Sequence, residues 1–110
     1  MTPDRTHGLR RTNDPPLLVL TSLASGPKHG YALAKDVEEF AGVTMSPGTL
    51  YGAITRLEEQ GLIEPLASDE RRRPYRLTAR GATALREATR EMSRLAEVGA
   101  TRLRLAGSLS

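Results

Sequence analysis

The sequence has no cysteine and no tryptophan, few lysines and no long apolar run. Without cysteine there is neither a disulfide framework nor a thiolate metal site, and no cysteine nucleophile. The two histidines, His7 and His29, are far apart in the chain, so the clustered ligands of a metal sensor are missing. No apolar stretch approaches the roughly 20 residues that a membrane span needs. The leading MTPDRTHGLRRTNDPP lacks the apolar core of a signal peptide, which makes a cytoplasmic location the expectation. Glu38-Glu39 and Glu58-Glu59 read as surface pairs on helices, not as convergent carboxylates. An enzyme is therefore not expected, and no cofactor is implied.

What is present is arginine. The chain of 110 residues carries a net charge of +3, and its only lysines are Lys28 and Lys35. A basic balance of this size suits a polyanion without demanding one. The planar guanidinium favours phosphate and guanine; genomic codon bias is the competing explanation. The length fits one domain, or one small domain with an extension, for which a second copy would help to bury surface.

Residues 1–13 are polar, include Arg5, Arg10 and Arg11, and show no periodicity, which predicts a flexible N-terminal arm. Asp14-Pro15-Pro16 reads as an N-cap followed by prolines in a first helical turn, where a missing N–H costs nothing. LLVLTSLA continues this helix and is apolar on nearly every side, as a central helix should be. Gly26-Pro27 stops it. A second helix is predicted from Gly30-Tyr31 to Gly42, with Leu33, Val37 and Phe40 as its buried stripe. Val43-Thr44-Met45 is long enough only for a bridging strand. The third helix opens with Ser46 as N-cap and Pro47 at N1, buries Leu50, Ile54 and Leu57, and ends at Gly61. Leu62–Leu66 and Tyr75–Thr78 are strand-like segments around the polar tip Ala67–Arg73, which predicts a β-hairpin. A last helix starts near the cap Thr78. Leu85, Ala88, Met92, Leu95, Gly99 and Leu103 form a narrow stripe along it, closer to a coiled-coil seam than to one side of a globular core.

The expected architecture is mainly α with a small β-hairpin wing: a winged helix-turn-helix over 14–78, a C-terminal dimerisation helix over 79–106, and a frayed tail at 107–110. In such a fold the helix before the hairpin enters the major groove of DNA. Its outward face would carry Ser46, Gly48, Thr49, Tyr51, Gly52, Thr55 and Arg56. The N–H groups of Ser46 to Thr49 suit a phosphate. Arg71, Arg72 and Arg73 at the hairpin tip suit a neighbouring backbone or minor groove. Each residue has a plainer alternative. Tyr51 fits a half-buried surface aromatic, Arg56 a partner of Glu59 or Gln60, and the arginine run a solvated loop beside Asp69-Glu70. Gly48 and Gly52 fit tight packing against a neighbouring helix, and His29 fits a capping or packing role.

The runs Gly26-Pro27-Lys28-His29-Gly30-Tyr31-Ala32-Leu33, Ser46-Pro47-Gly48-Thr49-Leu50-Tyr51, Arg56-Leu57-Glu58-Glu59-Gln60-Gly61-Leu62-Ile63 and Arg73-Pro74-Tyr75-Arg76-Leu77-Thr78 together resemble the signatures of the PadR family of bacterial transcriptional regulators. The similarity spans roughly Leu17 to Leu85 and covers the winged-helix part. It implies a homodimeric repressor that binds a palindromic operator in double-stranded DNA, with the last helix of each chain crossing onto its partner. By position it gives Tyr51 a contact to the DNA backbone, with Ser46 and Thr49 as further phosphate partners. It also implies response to a small lipophilic or phenolic effector, for which Leu17, Leu20, Met92 and Leu95 would line a central pocket if they were not simply packed core. The sequence departs from the family pattern in Gly52, where a proline is common, and in Ser68-Asp69-Glu70, where the wing usually has glycine. Without tryptophan, the flat aromatic drugs that some short members sandwich between tryptophans are not carried over. A winged-helix module that binds only protein and a MarR-like regulator stand as alternatives.

Overall fold

The computed structural model describes residues 13–68 and 73–109, with Ser108 and Leu109 as backbone only. Of the arm expected over 1–13, residues 1–12, with Arg5, His7, Arg10 and Arg11, lie outside the described residues, as do Asp69, Glu70, Arg71, Arg72 and Ser110. The elements run α1 (Pro15–Leu23), α2 (Gly30–Ala41), α3 (Pro47–Glu59), β1 (Ile63–Pro65), β2 (Tyr75–Leu77) and α4 (Ala79–Leu109). The fold is mainly helical with one two-stranded antiparallel hairpin.

The centre is α1, which touches α2, α3, α4 and β2. Leu18, Val19, Leu20 and Leu23 are all buried, so its apolar surface is spent in several directions at once. Its C-terminal end is closed by a residue outside the helix. The Lys28 ammonium donates to the Ser22 carbonyl at 2.6 Å, to Ser25 Oγ at 2.7 Å and to the Gly26 carbonyl at 3.3 Å. A cation there satisfies orphan carbonyls and complements the negative end of the helix dipole. Asp36 of α2 balances this charge from 3.9 Å and accepts from the Ser22 hydroxyl at 2.7 Å, which ties the first two helices together.

Both ends of α3 follow from local chemistry. Ser46 Oγ accepts from the Thr49 N–H at 3.2 Å, and Pro47 occupies N1. At the other end Gly61 takes a left-handed φ of 75°. The Gly61 N–H reaches the Glu58 carbonyl at 3.0 Å and the Leu62 N–H reaches the Leu57 carbonyl at 2.9 Å, the paired bonds of a Schellman motif. Leu62 is thereby committed to the helix stop, so the ladder begins one residue later than the strand-like run, at Ile63. Its register pairs Ile63 with Leu77, Glu64 with Arg76 and Pro65 with Tyr75. Arg76 and Glu64 form a cross-strand ion pair at 2.6 Å.

Three expectations are corrected. Val43–Met45 forms no strand. The outer edge of β2 is taken by Lys28, whose N–H and carbonyl exchange bonds of 3.1 and 2.9 Å with Tyr75, while Met45 turns its side chain into the core. Phe40 is 46% exposed and does not join Leu33 and Val37 in the interior. At the last turn of α2, Ala41 packs against the core instead. The last helix does not stop at Ala106, because its backbone stays helical to Leu109 and no proline or left-handed glycine interrupts it.

Thr78 starts α4. Its hydroxyl accepts from the Gly81 N–H at 3.0 Å and donates to the Gly61 carbonyl at 2.7 Å, so one side chain caps α4 and fastens it to the end of α3. Gly81 is buried where the helix crosses the hairpin. A Cβ there would collide with the Leu62 carbonyl and come within 2.9 Å of Leu77 Cδ1, so glycine sets the approach of the two elements. The 31 residues of α4 extend about 46 Å at 1.5 Å per residue, well beyond the body it leans on. No helix among the described residues is long and apolar enough to cross a membrane.

Candidate nucleic-acid interface

Leu50, Ala53, Ile54 and Leu57 seat α3 in the core, which turns the opposite side outward. Ser46, Gly48, Thr49, Tyr51, Gly52, Thr55 and Arg56 are all exposed there. Among the described residues, a Cβ added at Gly48 or at Gly52 meets nothing within 4 Å. Neither glycine is therefore required by packing among the described residues, and the alternative of close contact with a neighbouring helix of the same chain is not seen there. Among the described residues Arg56 makes no ion pair and no side-chain hydrogen bond, so Glu59 and Gln60 do not hold it. Its exposed guanidinium lies beside the bare strip.

The N-terminus of α3 offers less than the sequence suggests. Pro47 has no N–H, the Thr49 N–H is used by Ser46 Oγ, and the Leu50 N–H is used by the Ser46 carbonyl. The Ser46 hydroxyl also bonds to Thr49 Oγ1 at 3.0 Å. What remains for an anion is the N–H groups of Ser46 and Gly48 and the Thr49 hydroxyl proton.

One flank of α3 holds an arrangement that periodicity did not reveal. All three tyrosines of the chain, Tyr31, Tyr51 and Tyr75, line one cleft of about 490 Å³ with Arg73 at its edge. Buried Met45 and Leu50 supply its apolar floor. The Tyr51 ring lies over the first residue of α2, where a Cβ on Gly30 would run into the phenol oxygen and lie 2.9 Å from Cζ. Glycine at position 30 is what admits the ring. Burial, reinforced by Glu58 and by the Tyr51 phenol, pushes the Tyr75 hydroxyl above its usual range despite the opposing pull of Arg73. Tyr75 is thus a neutral hydrogen-bond donor near neutral pH. Tyr31 and Tyr75 were missed because they come from α2 and β2, and only the tertiary fold brings them beside Tyr51. The available signal was that these are the only tyrosines and that each sits in one of the runs that resemble the family.

The remaining candidates separate. Arg73 is exposed and joins the cleft, whereas Arg71 and Arg72 are outside the described residues. His29 occupies the N-cap of α2, but its side chain makes no capping bond and its buried Nδ1 has no partner, so the capping alternative is not realised. No group of His, Asp or Glu suited to a metal ion occurs among the described residues. Along α4, Leu85 packs partly against the core, and Ala88 and Met92 are also half-buried. Beyond them Leu95 and Leu103 are 71% and 74% exposed and Gly99 is open. Leu20 is core, so the residues proposed for a central effector pocket do not share one environment.

Three helices, the third with a bare outer face, followed by an antiparallel ribbon, define a winged helix-turn-helix protein. The chain belongs to the PadR-like family of transcriptional regulators, whose family model matches residues 19–87. That places it among regulators and not among enzymes. Its winged helix is similar to that of a PadR family transcriptional regulator from Eggerthella lenta DSM 2243, with 32% identity and a TM-score of 0.74, covering 91% of this chain and 89% of that one. It is 36% identical over 83 residues to a transcriptional regulator of Mycobacterium tuberculosis, covering 73% of this chain and 77% of the relative. It is also 46% identical over 85 residues to an uncharacterized transposon protein of Streptomyces fradiae, covering 77% of this chain. The chain spans only about a quarter of that protein, 25% of its length.

Proposed function

We propose that the chain is a sequence-specific DNA-binding repressor that acts as a homodimer on a palindromic operator. The observation that carries this reading is the outer face of α3. It is floored by two glycines that no contact among the described residues requires and edged by an exposed arginine on one side and three phenols on the other. A face kept this low lets a helix backbone approach a groove floor, with Thr55 and Arg56 reaching base edges or phosphate. Tyr31, Tyr51 and Tyr75, with Arg73, present donors to the backbone strand that borders the groove. The exposed seam from Leu95 to Leu103 supplies the surface for the second copy, since two such seams bury each other as a coiled-coil pair. A small lipophilic or phenolic effector would act by changing the angle between the two copies.

The test of the interface is paired with a test of assembly. Tyr51→Phe and Arg56→Ala each remove a donor from the DNA face without touching the core. Each is expected to weaken binding to DNA from upstream of the protein's own gene by about tenfold, the cost of one hydrogen bond to a charged group. Sedimentation should show the same assembly as the unmodified chain. Unchanged affinity in both variants would mean that another surface meets the DNA.

A further inference from the structure

The exposed seam of α4 has an internal symmetry. At about 3.6 residues per turn, the side that carries Leu95 and Leu103 is an arc of about 100° running from Leu85 to Ala106. Its residues match in pairs about the midpoint between Leu95 and Ala96. Counting outward, Leu95 is matched with Ala96, Met92 with Gly99, Ala88 with Leu103 and Leu85 with Ala106. Every pair joins a large side chain to a small one. The body covers the two halves of the arc unequally. Leu85 packs partly against the core and Ala88 and Met92 are half-buried, whereas Leu95, Gly99, Leu103 and Ala106 are exposed.

A face that is complementary to itself under a two-fold rotation fits a second copy of the same chain, because residue i then meets residue j while j meets i. Two α4 helices running in opposite directions about that midpoint bring every pair together. Met92 then lies on the partner's Gly99 and Leu103 on the partner's Ala88, and the two-fold repeats both contacts. Large against small in each layer is what close packing needs. The exposed C-terminal half of each helix is laid along the half-buried N-terminal half of the other. In a parallel pair in register each residue would meet its own copy. Leucine would then face leucine at position 103 and glycine would face glycine at position 99, a crowded layer beside an empty one.

The charges beside the seam select the same direction. Glu91 and Arg102 are exposed and lie on one flank of the arc. In the antiparallel pair Glu91 is offset from the partner's Arg102 by only about 3 Å along the axis, and the contact occurs twice. In a parallel pair the offset is about 16 Å, beyond the reach of an ion pair. The other flank holds Thr89 and Ala100, which carry no charge.

We propose that two copies of α4 pair antiparallel about the midpoint between Leu95 and Ala96, with Glu91 of each joined to the partner's Arg102. This rests on the reading of α4 as the seam between copies, and it fixes the direction and register of that seam. The two winged helices then stand at opposite ends of the pair, with about 50 Å between the two starts of α4.

Because the chain has no cysteine, introduced thiols report contacts without background. Full-length Ala88→Cys and Leu103→Cys chains, one tagged to differ in mass, are co-expressed, oxidised and compared with each variant expressed alone. A disulfide needs Cα atoms within about 7 Å. The mixture should give a cross-link between tagged and untagged chains. Neither variant alone should cross-link, because the two copies of position 103 are about 22 Å apart along the axis. As a second measurement, Glu91→Arg should weaken dimerisation about tenfold in sedimentation, and Glu91→Arg/Arg102→Glu should restore it. Leu103→Cys cross-linking to itself, a dimeric mixture without a cross-link, or Glu91→Arg dimerising as tightly as the unmodified chain would overturn the register and leave the seam reading standing. An unmodified chain that sediments as a monomer would overturn both.

Discussion

Replacing Gly52 by alanine should stabilise the protein and weaken its hold on DNA. The two effects have opposite signs because they come from different surfaces. Gly52 is interior to α3, and a Cβ there meets no described residue within 4 Å, so the folded state has room for it. Removing a helical glycine gains about 1 kcal/mol through the lower conformational entropy of the unfolded chain. On a groove floor the same methyl group occupies the space that the backbone approach needs. Overpacking a close contact costs about 1–3 kcal/mol, which is about fivefold to 150-fold in affinity. Gly52→Leu should extend the loss until specific binding disappears. Thermal unfolding and anisotropy titration of the same preparations check both halves. A variant that melts higher and binds DNA as tightly as before would show that α3 does not approach a groove at this position.

The second large effect concerns assembly. Glutamate at both Leu95 and Leu103 should convert the protein to a monomer in sedimentation while leaving its folded body intact. Both side chains point away from the body, at 71% and 74% exposure, so neither substitution disturbs the core. In a paired seam each leucine would bury a side chain worth about 1.5–3 kcal/mol, and each glutamate would bury a charge there instead. Losing the pair also separates the two α3 faces, so binding to a palindromic site should collapse toward that of a single half-site. A double variant that stays dimeric would place the contact between copies on another surface.

The parts of this fold that are legible in the sequence are those written in local chemistry. Ser46-Pro47 and Gly61 mark the ends of α3, Gly42 marks the end of α2 with a φ of 68°, and Thr78 opens α4, because each is a cap whose partner lies within a few residues along the chain or at the adjoining helix end. The exposed strip of α3 is legible for a related reason, since helical periodicity assigns Gly48, Gly52 and Thr55 to the side opposite Leu50 and Leu57. What is not legible depends on how far a neighbour reaches. Phe40 continues the stripe of Leu33 and Val37, yet the interior ends before it does. Val43–Met45 has strand-like residues, but the strand edge it would use belongs to Lys28. The same lysine looks like a surface charge in the sequence and instead closes the end of α1 and pairs with Asp36. The tyrosine cleft is the largest omission. Its phenols come from three separate elements, and the glycine at position 30 that makes room for the Tyr51 ring has no local signature.

All of these expectations depend on the outer face of α3 being a surface for duplex DNA. The affinity of the unmodified full chain for DNA from upstream of its own gene, measured beside a random-sequence duplex across a salt series, decides this. Tight binding to the upstream DNA is expected, falling steeply as salt rises, with a protected palindrome in footprinting and weaker binding to the random duplex. No detectable binding to either duplex at the lowest salt would contradict it.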